Sequence, residues 1–330
     1  MQQRELGKGG PLVGQVGFGA MSFAGFYGAT DEPTSLATLA RAVDLGVTHI
    51  DTARVYGIGR SEESIGKYLR ERGNNPFVIA TKGGMYTDRA GTRHFDNRPI
   101  TLREHLEASL YRLGVEHVPL YYIHRRDQQI PIEDVMETLL RFKDEGKIGG
   151  IGFSEISPAS LRRAAAVGPV MAVQSEYSLW TRLPEMGVLQ ATAEVGAAFV
   201  AFSPVARGML TAVDLDPADF TGADIRRNGP RFQKENYPTN QAYMRAFRAV
   251  AEAFGYAPAS LAIAWTLDQA PHVIPIPGTR TPEHLEVLAA ADSVTFTDEL
   301  RQRLDDALPI GFAHGDRYSD AQMVGIERYC

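Results

Sequence analysis

Four ionisable side chains lie at or near the ends of short apolar runs in the first half of the chain. Asp51, Lys82 and His124 each end such a run, and Tyr56 follows Asp51 by five residues. Taken singly, each has an ordinary structural explanation: a helix N-cap, a rim ion pair, a core imidazole or a rim aromatic ring. Burying Asp51 and Lys82 is costly unless the two charges pair with each other. A shared site explains all four residues together.

These residue types suit the conversion of a carbonyl group into an alcohol. A tyrosine with a pKa near 10 is a protonated donor at neutral pH. An ammonium group beside the phenol favours the phenolate, so we expect Lys82 to lower the pKa of Tyr56, with Asp51 keeping Lys82 charged and oriented. A neutral His124 can orient the carbonyl oxygen and share in proton transfer. No side chain supplies a hydride, so a nicotinamide cofactor is implied.

The elements that position these residues follow from an alternation of apolar runs with segments of helical period, which is typical of an α/β protein built from βαβ units. The sequence predicts eight buried strands: 15–19, 48–51, 77–82, 120–124, 149–154, 172–176, 198–203 and 273–277. Eight parallel strands close a (β/α)8 TIM barrel, in which the carboxyl ends of the strands meet at one mouth. Asp51, Tyr56, Lys82 and His124 would meet there.

Three segments lie outside the eight repeating units. Residues 5–13 are expected to form a small β-hairpin at the bottom of the barrel. Residues 205–239, after the seventh strand, form a long loop rich in glycine and proline, which we interpret as a lid over a cofactor on the catalytic face. Residues 311–330 form a tail. We take residues 1–330 as a single domain. Among helix starts, Ser157-Pro158 and a capping box over 101–104 are predicted.

The composition limits the classes of molecule that the protein is expected to bind. The net charge of −6 and the absence of a long Lys/Arg cluster argue against nucleic acid, and no apolar run is long enough to cross a membrane. Only one cysteine, Cys330, is present, which excludes an internal disulfide and favours the cytoplasm. The histidines show no metal-ligand spacing, so no metal site is predicted. A small-molecule carbonyl substrate is the expected partner, and the oligomeric state stays open.

The stretch His-Ile-Asp-Thr-Ala-Arg-Val-Tyr-Gly at 49–57 resembles the signature of the aldo-keto reductases, with Asp51 and Tyr56 at the catalytic positions. Residues 80–83 resemble the lysine strand of that family, 120–125 its histidine strand and 146–154 its fifth-strand motif. Segments 173–180, 202–210 and 276–280 resemble its cofactor-binding segments. The resemblance runs from about residue 17 to residue 286 and is strongest to the bacterial and plant branch that includes potassium-channel β subunits. It implies NADPH-dependent reduction of an aldehyde or ketone, with Tyr56 as the proton donor.

The same resemblance implies a set of cofactor contacts. Ser154 and Gln174 would hold the nicotinamide carboxamide, Phe202 would stack on its ring, and Arg280 would meet the 2′-phosphate, for which a guanidinium fork is suited. The complete set is Gly19, Met21, Ser154, Gln174, Phe202, Ser203, Pro204, Val205, Arg207, Gly208, Leu210, Gly278, Thr279, Arg280 and Glu286. Val287 and Leu288 replace an acidic residue and an asparagine that are common in the family, so the strength of the preference for NADPH over NADH stays open.

Further residues that follow strand ends are candidates for the substrate pocket. They are Phe23, Tyr27, Arg54, Tyr86, Arg125 and Trp180. An apolar pocket with arginines suits an aromatic or an acidic carbonyl compound.

The sequence also contains partial matches to motifs of other enzyme classes. The segment 17–22 is close to a dinucleotide fingerprint but lacks its third glycine, and 152–156 lacks the closing glycine of a nucleophile elbow. Lys82 could instead form a Schiff base in a lyase. The alternative outside catalysis is an NADPH-binding regulatory or redox-sensing subunit with slow turnover. Intact Asp51, Tyr56, Lys82 and His124 argue against that alternative without excluding it.

Overall fold

The computed structural model describes residues 1–222 and 224–328, so Cys330, on which the prediction of a reducing compartment depends, lies outside the described residues. The strands are β1 Gln3–Glu5, β2 Leu12–Gly14, β3 Phe18–Gly19, β4 His49–Asp51, β5 Val78–Gly83, β6 Met85–Thr87, β7 Arg93–Phe95, β8 Val118–Ile123, β9 Ile148–Ser154, β10 Ala172–Glu176, β11 Ala198–Phe202 and β12 Val273–Ile276.

The α-helices lie mostly between the strands. They are α1 Glu32–Leu45, α2 Arg60–Arg72, α3 Pro99–Leu113, α4 Ile132–Asp144, α5 Pro158–Val167, α6 Val188–Val195, α7 Tyr237–Ala253, α8 Pro258–Asp268, α9 Pro282–Ala289, α10 Asp298–Ala307 and α11 Asp320–Met323. Shorter 3-10 turns cover Ala20–Ala24, Leu183–Met186, Ala206–Gly208, Pro217–Asp219, Ile225–Asn228, Pro230–Phe232 and Ala290–Ser293. Within the described residues, none of these helices has the length and apolar composition needed to cross a membrane.

Eight parallel strands form the barrel, in the order β12-β11-β10-β9-β8-β5-β4-β3. Two backbone hydrogen bonds join the edges: the Gly17 amide donates to the Pro275 carbonyl over 2.9 Å, and the Gly19 amide donates to the Pro277 carbonyl over 3.0 Å. The strands are buried on both faces, which explains why they read as continuous apolar runs. All eight predicted strands are present in order, so the predicted barrel is confirmed, although His124 lies one residue beyond β8.

The amino-terminal hairpin closes the bottom of the barrel. Strands β1 and β2 pair antiparallel, and the adjoining Leu6 and Val13 are fully buried among interior side chains that include Leu120, Val200 and Ile274. The turn after β1 passes so close to the barrel that a Cβ on Gly7 would lie 2.3 Å from the Met171 carbonyl oxygen. The predicted hairpin is therefore confirmed, together with the reason for a glycine at its turn.

Helix starts agree with the sequence in one case and differ in another. Ser157 caps α5, accepting a hydrogen bond from the Ser160 amide, as predicted. The capping box predicted over 101–104 is wrong: α3 begins at Pro99, and the buried Thr101 donates its hydroxyl to the Asp96 carboxylate over 2.7 Å. Proline at the first helical position starts the helix earlier because its φ is already helical and it needs no amide partner.

The loop after β11 and the carboxyl-terminal tail both lie over the mouth. The loop reaches the segment after β3, where the Ile225 amide donates to the Phe26 carbonyl over 3.3 Å. The tail is fixed by a pair of Arg317 with Glu155, which follows β9, and by a 3.3 Å pair of Glu327 with Arg126, which follows β8. The long catalytic-face loop is thus as predicted, and the tail adds a second cover.

Candidate active site

The four sequence-predicted catalytic residues come together at the mouth. Asp51 ends β4, Lys82 is the next-to-last residue of β5, and His124 follows β8. The Lys82 Nζ contacts the Asp51 carboxylate and lies 3.4 Å from the Tyr56 hydroxyl. The Tyr56 and His124 rings meet edge to face, with centroids 5.8 Å apart. Asp51, Lys82 and His124 are buried, whereas Tyr56 is half-buried and accessible from the mouth.

Two further contacts fix the ion pair. The Thr52 carbonyl accepts a second hydrogen bond from Lys82 over 2.9 Å, and the Gln174 side-chain amide donates to the other oxygen of Asp51 over 2.7 Å. Both carboxylate oxygens therefore have a hydrogen-bond partner. The remaining N–H of Lys82 is directed at the Tyr56 hydroxyl. A buried charge pair is tolerated when its remaining polar groups are satisfied in this way. Gln174, which the sequence predicted as a cofactor residue, thus contacts the catalytic group in this structure.

Burial sets the protonation states of the group. Burial, and then the Asp51 carboxylate, raise the pKa of Tyr56 above its ordinary value, and Arg125 partly opposes this. Burial, followed by the charges of Arg125 and Lys82, holds the pKa of His124 well below its ordinary value, so its imidazole is neutral as expected. The expectation that Lys82 lowers the pKa of Tyr56 is not met. Since Asp51 neutralises Lys82, the pair exerts little net positive field on the phenol.

The segment after β11 has a strained backbone. Ser203, Ala206 and Arg207 have φ of 52°, 52° and 56°, values that cost a residue with a Cβ about 1–3 kcal/mol each. The turn is closed internally, since the Gly208 amide donates to the Val205 carbonyl over 3.0 Å. Strain of this kind persists where the surroundings impose it and is concentrated at ligand sites. The strain makes this turn a candidate ligand-binding segment.

The segments after β3 and β12 approach each other closely and carry a cation, Arg280. A Cβ on Gly278 would lie 2.9 Å from the Gly19 carbonyl oxygen, and Ser22 donates to the Thr279 carbonyl, so the segments after β3 and β12 are held together. Arg280 is half-buried and donates to the Ala29 carbonyl over 3.0 Å. No carboxylate of the described residues lies within 4.0 Å of Arg280, which leaves it able to bind an anion.

The remaining residues that the sequence predicted to bind the cofactor lie at several places around the mouth. Ser154 accepts from Arg125 over 3.0 Å at the mouth, and Phe202 ends β11 with a half-buried ring. Pro204 and the buried Val205 and Leu210 belong to the turn after β11, and Met21 is half-buried in the turn after β3. Glu286 lies on α9, and its exposed carboxylate accepts from Arg41 over 2.8 Å.

The sequence-predicted pocket residues separate into two groups. Arg125 lies at the catalytic group, and Tyr27 and Trp180 lie around the buried charges described below. The structure does not bring the others to Tyr56. Phe23 is a core residue packed on Phe18, with ring centroids 5.3 Å apart. Tyr86 stacks on His94, with ring centroids 5.0 Å apart. Arg54 lies beside the charges of Arg112 and Glu62. These three follow strand ends, but their side chains pack against neighbours other than Tyr56.

Sequence reasoning missed a buried charge network beside the cofactor turn. Arg207 donates to Glu176 over 3.1 Å, and Arg317 donates to Glu155 over 2.9 Å and lies 3.8 Å from Glu176. The Tyr318 ring lies 4.7 Å from the Arg207 guanidinium carbon. The tail residues carry no motif, and their partners lie more than 100 residues earlier, so no local pattern indicated the network. Only the buried position of Glu155 and Glu176 at strand ends offered a signal.

Comparisons with known proteins agree with this geometry. The profile described as Aldo/keto reductase family matches residues 15–309. An aldo-keto reductase yakc [NADP(+)] of Schizosaccharomyces pombe is 38% identical over 92% of each chain, and a probable aldo-keto reductase 1 of Glycine max is 35% identical over 96% of this chain and 92% of its own. The structure of the glycerol dehydrogenase AKR11B4 from Gluconobacter oxydans superposes with a TM-score of 0.82 at 32% identity, covering 90% of this chain and 92% of its own. With its barrel and its convergent Asp51, Tyr56, Lys82 and His124, the chain belongs to the aldo/keto reductase family.

Proposed function

We propose that this protein reduces an aldehyde or ketone to the corresponding alcohol, with NADPH as the reductant and Tyr56 as the proton donor. The observation that carries the proposal is the Tyr56 hydroxyl, 3.4 Å from Lys82 and beside the neutral His124 ring at the open end of the barrel. A carbonyl oxygen placed there meets two groups that can donate a hydrogen bond. Residues 1–330 would act as one domain, because the hairpin and the tail both pack on the barrel.

Each residue has a separate task in this reaction. Bound NADPH supplies the hydride that adds to the carbonyl carbon. Tyr56 gives its hydroxyl proton to the carbonyl oxygen as negative charge develops there, and it recovers a proton from solvent afterwards. Lys82 donates its hydrogen bond directly to the oxygen of the transient phenolate, and Asp51 keeps Lys82 in place. His124, being neutral, donates one ring N–H toward the carbonyl oxygen and so fixes its direction.

The choice of NADPH has two supports. The relative from Schizosaccharomyces pombe carries NADP(+) in its name. In this chain, Arg280 stands beside the cleft without a carboxylate partner within 4.0 Å among the described residues, as a 2′-phosphate contact requires. The strained turn 203–208 would enclose the pyrophosphate, and Ser154 with Gln174 would hold the carboxamide.

The first experiment is the oxidation of NADPH by the purified protein in the presence of 4-nitrobenzaldehyde, followed by the absorbance of NADPH. We expect turnover that falls by at least about 100-fold in Tyr56→Phe, the scale of a lost general acid, with NADPH affinity retained in a fluorescence titration. Tyr111→Phe is the matched control, since Tyr111 is 86% exposed and distant from the mouth.

Three results would contradict parts of this proposal. An unchanged rate in Tyr56→Phe removes Tyr56 from the mechanism. Tight binding of NADPH without turnover of any aldehyde favours the regulatory-subunit alternative. An adduct trapped on Lys82 by borohydride, without use of NADPH, favours the Schiff-base lyase.

A further inference from the structure

Arg125 and Arg93 lie near the mouth without a carboxylate partner. Arg125 follows His124, and its Nη1 donates to the His124 carbonyl over 2.6 Å and to the Ser154 hydroxyl over 3.0 Å. Within residues 1–222 and 224–328, no carboxylate oxygen lies within 4.0 Å of either guanidinium, although neighbouring Arg126 and Arg317 are both paired. The two arginines therefore retain N–H groups that can bind an anion.

Arg93 reaches the mouth from the β6–β7 hairpin. The register pairs Met85 with Phe95 and Thr87 with Arg93, so Arg93 and Phe95 share one face of the hairpin, while Tyr86 and His94 stack on the other. The Phe95 face is turned toward the tail, because a Cβ on Gly325 would lie 2.7 Å from the Phe95 ring. Arg93 therefore lies on the side of the hairpin that meets the tail.

The positive charges near His124 are not all neutralised by carboxylates. Lys82 is neutralised by Asp51, whereas Arg93 and Arg125 stand without a carboxylate partner, and both reinforce the effect of burial in lowering the pKa of His124. The pKa of Arg93 itself is lowered by partial burial and then by the like charge of Arg125. The two like charges repel, and a bound anion relieves this repulsion.

The tail adds the Tyr318 hydroxyl to the two arginines. Tyr318 is half-buried, and its ring packs on Arg207. The charges of Arg207, Glu176 and then Arg125 act on its phenol, and the phenol in turn acts on Arg93. Burial raises the pKa of Tyr318, so at neutral pH it offers an O–H donor. Two cations and one neutral donor at the entrance to the catalytic group form a set of donors suited to an oxyanion.

We propose that the carbonyl substrate bears an anionic group, a carboxylate or a phosphate, that Arg125 and Arg93 bind while the carbonyl oxygen reaches Tyr56. The planar fork of an arginine matches the paired oxygens of either group. This inference rests on the proposed reductase function and narrows its substrate class. Arg125 and Arg93 act as positioning residues, since they contact the substrate away from the reacting carbon.

The test compares matched substrates that differ in charge. The first pair is 4-formylbenzoate with its neutral methyl ester, and the second is glyceraldehyde 3-phosphate with glyceraldehyde. For each pair we measure the ratio of kcat/KM of the anionic to the neutral substrate, because any general loss of activity in a variant cancels in that ratio. The ratio should fall at least about 10-fold in Arg125→Gln and less in Arg93→Gln, mainly through KM, as expected for losing a charge-assisted hydrogen bond. The pair with the larger fall identifies carboxylate or phosphate as the preferred group.

The control is Arg89→Gln, which removes one positive charge from the exposed turn of the same hairpin and should leave the ratio unchanged. Raising the ionic strength from about 0.01 M to about 1 M should also lower kcat/KM for the anionic members only. If both ratios stay constant in Arg125→Gln and Arg93→Gln while the neutral aldehydes are reduced, the anionic substrate class is wrong and the reductase function stands. If no aldehyde is reduced at all, the reductase proposal fails, and this inference fails with it.

Discussion

Lys82 is held by three oxygen atoms, from the Asp51 carboxylate, the Thr52 carbonyl and the Tyr56 hydroxyl. Because the first is a carboxylate, the ammonium and Asp51 form a pair that is neutral overall. The pair orients the Tyr56 hydroxyl and leaves the pKa of Tyr56 above its ordinary value. This arrangement keeps the phenol protonated before reaction and places a cation beside it when the proton leaves.

The protonation states predict how activity depends on pH. The pKa of Tyr56 is raised, so this acid stays protonated as pH rises, and the pKa of His124 is lowered, so its ring stays neutral as pH falls. We therefore expect kcat/KM for methyl 4-formylbenzoate to be constant between about pH 7 and about pH 9, an interval that lies between the ordinary pKa values of histidine and tyrosine. A decline through that interval with a single apparent pKa would show that one of the two groups titrates there.

Stability should depend on the Asp51 and Lys82 charges as a pair. Lys82→Met leaves a buried carboxylate with Gln174 as its remaining side-chain partner and should lower the free energy of unfolding by about 3–5 kcal/mol, the scale for breaking a buried pair. The double variant Asp51→Asn, Lys82→Met removes both charges and should recover a large part of that loss. Urea unfolding of the two variants measures the difference. Equal stabilities of the single and double variants would contradict the charge-pair explanation, and both should lack reductase activity.

At the scale of elements, the tail from Phe312 to Arg328 is attached to the barrel by charges more than by apolar packing. Arg317 with Glu155 and Glu327 with Arg126 are buried pairs, and the Glu327 carboxylate also accepts the Ser157 amide over 2.9 Å. The apolar contribution is small: Phe312 and Ile326 are the buried hydrophobic residues within this described segment. Segments with few buried apolar contacts can open without unfolding of the whole domain.

Arg317→Gln should therefore release the tail while the barrel stays folded. The substitution leaves Glu155 buried without its cation, and detaching the tail lets solvent reach that carboxylate. Hydrogen exchange should show lost protection in the tail and in residues near Glu155, with little change in the barrel strands. Arg303→Gln, on the exposed face of α10, is the matched control. Unchanged protection of the tail in Arg317→Gln would mean that the apolar and backbone contacts hold it without the ion pair.

At the scale of the whole molecule, the sequence predicted the barrel because its strands are continuous apolar runs at regular intervals. The bounds of β10 were predicted to the residue, and the position of Asp51, Lys82 and His124 at strand ends followed from the parallel arrangement. Side-chain directions in the loops could not be predicted in this way. Tyr86 follows a strand end but stacks on His94, and Arg54 lies beside Arg112 and Glu62, whereas Tyr318 comes near Arg125 from the tail. Contacts across such distances depend on tertiary packing, which local patterns do not carry.

The pairing of Arg317 with Glu155 has a consequence for biosynthesis. The barrel strands lie within the first 276 residues and can assemble as they leave the ribosome, since domains generally fold during synthesis from the amino terminus. The residues that complete the mouth are translated after all of the barrel strands. The nascent chain would thus hold a folded barrel with an uncovered entrance until Arg317 has left the ribosome and paired with Glu155, so that substrate selection would begin only after the tail has docked.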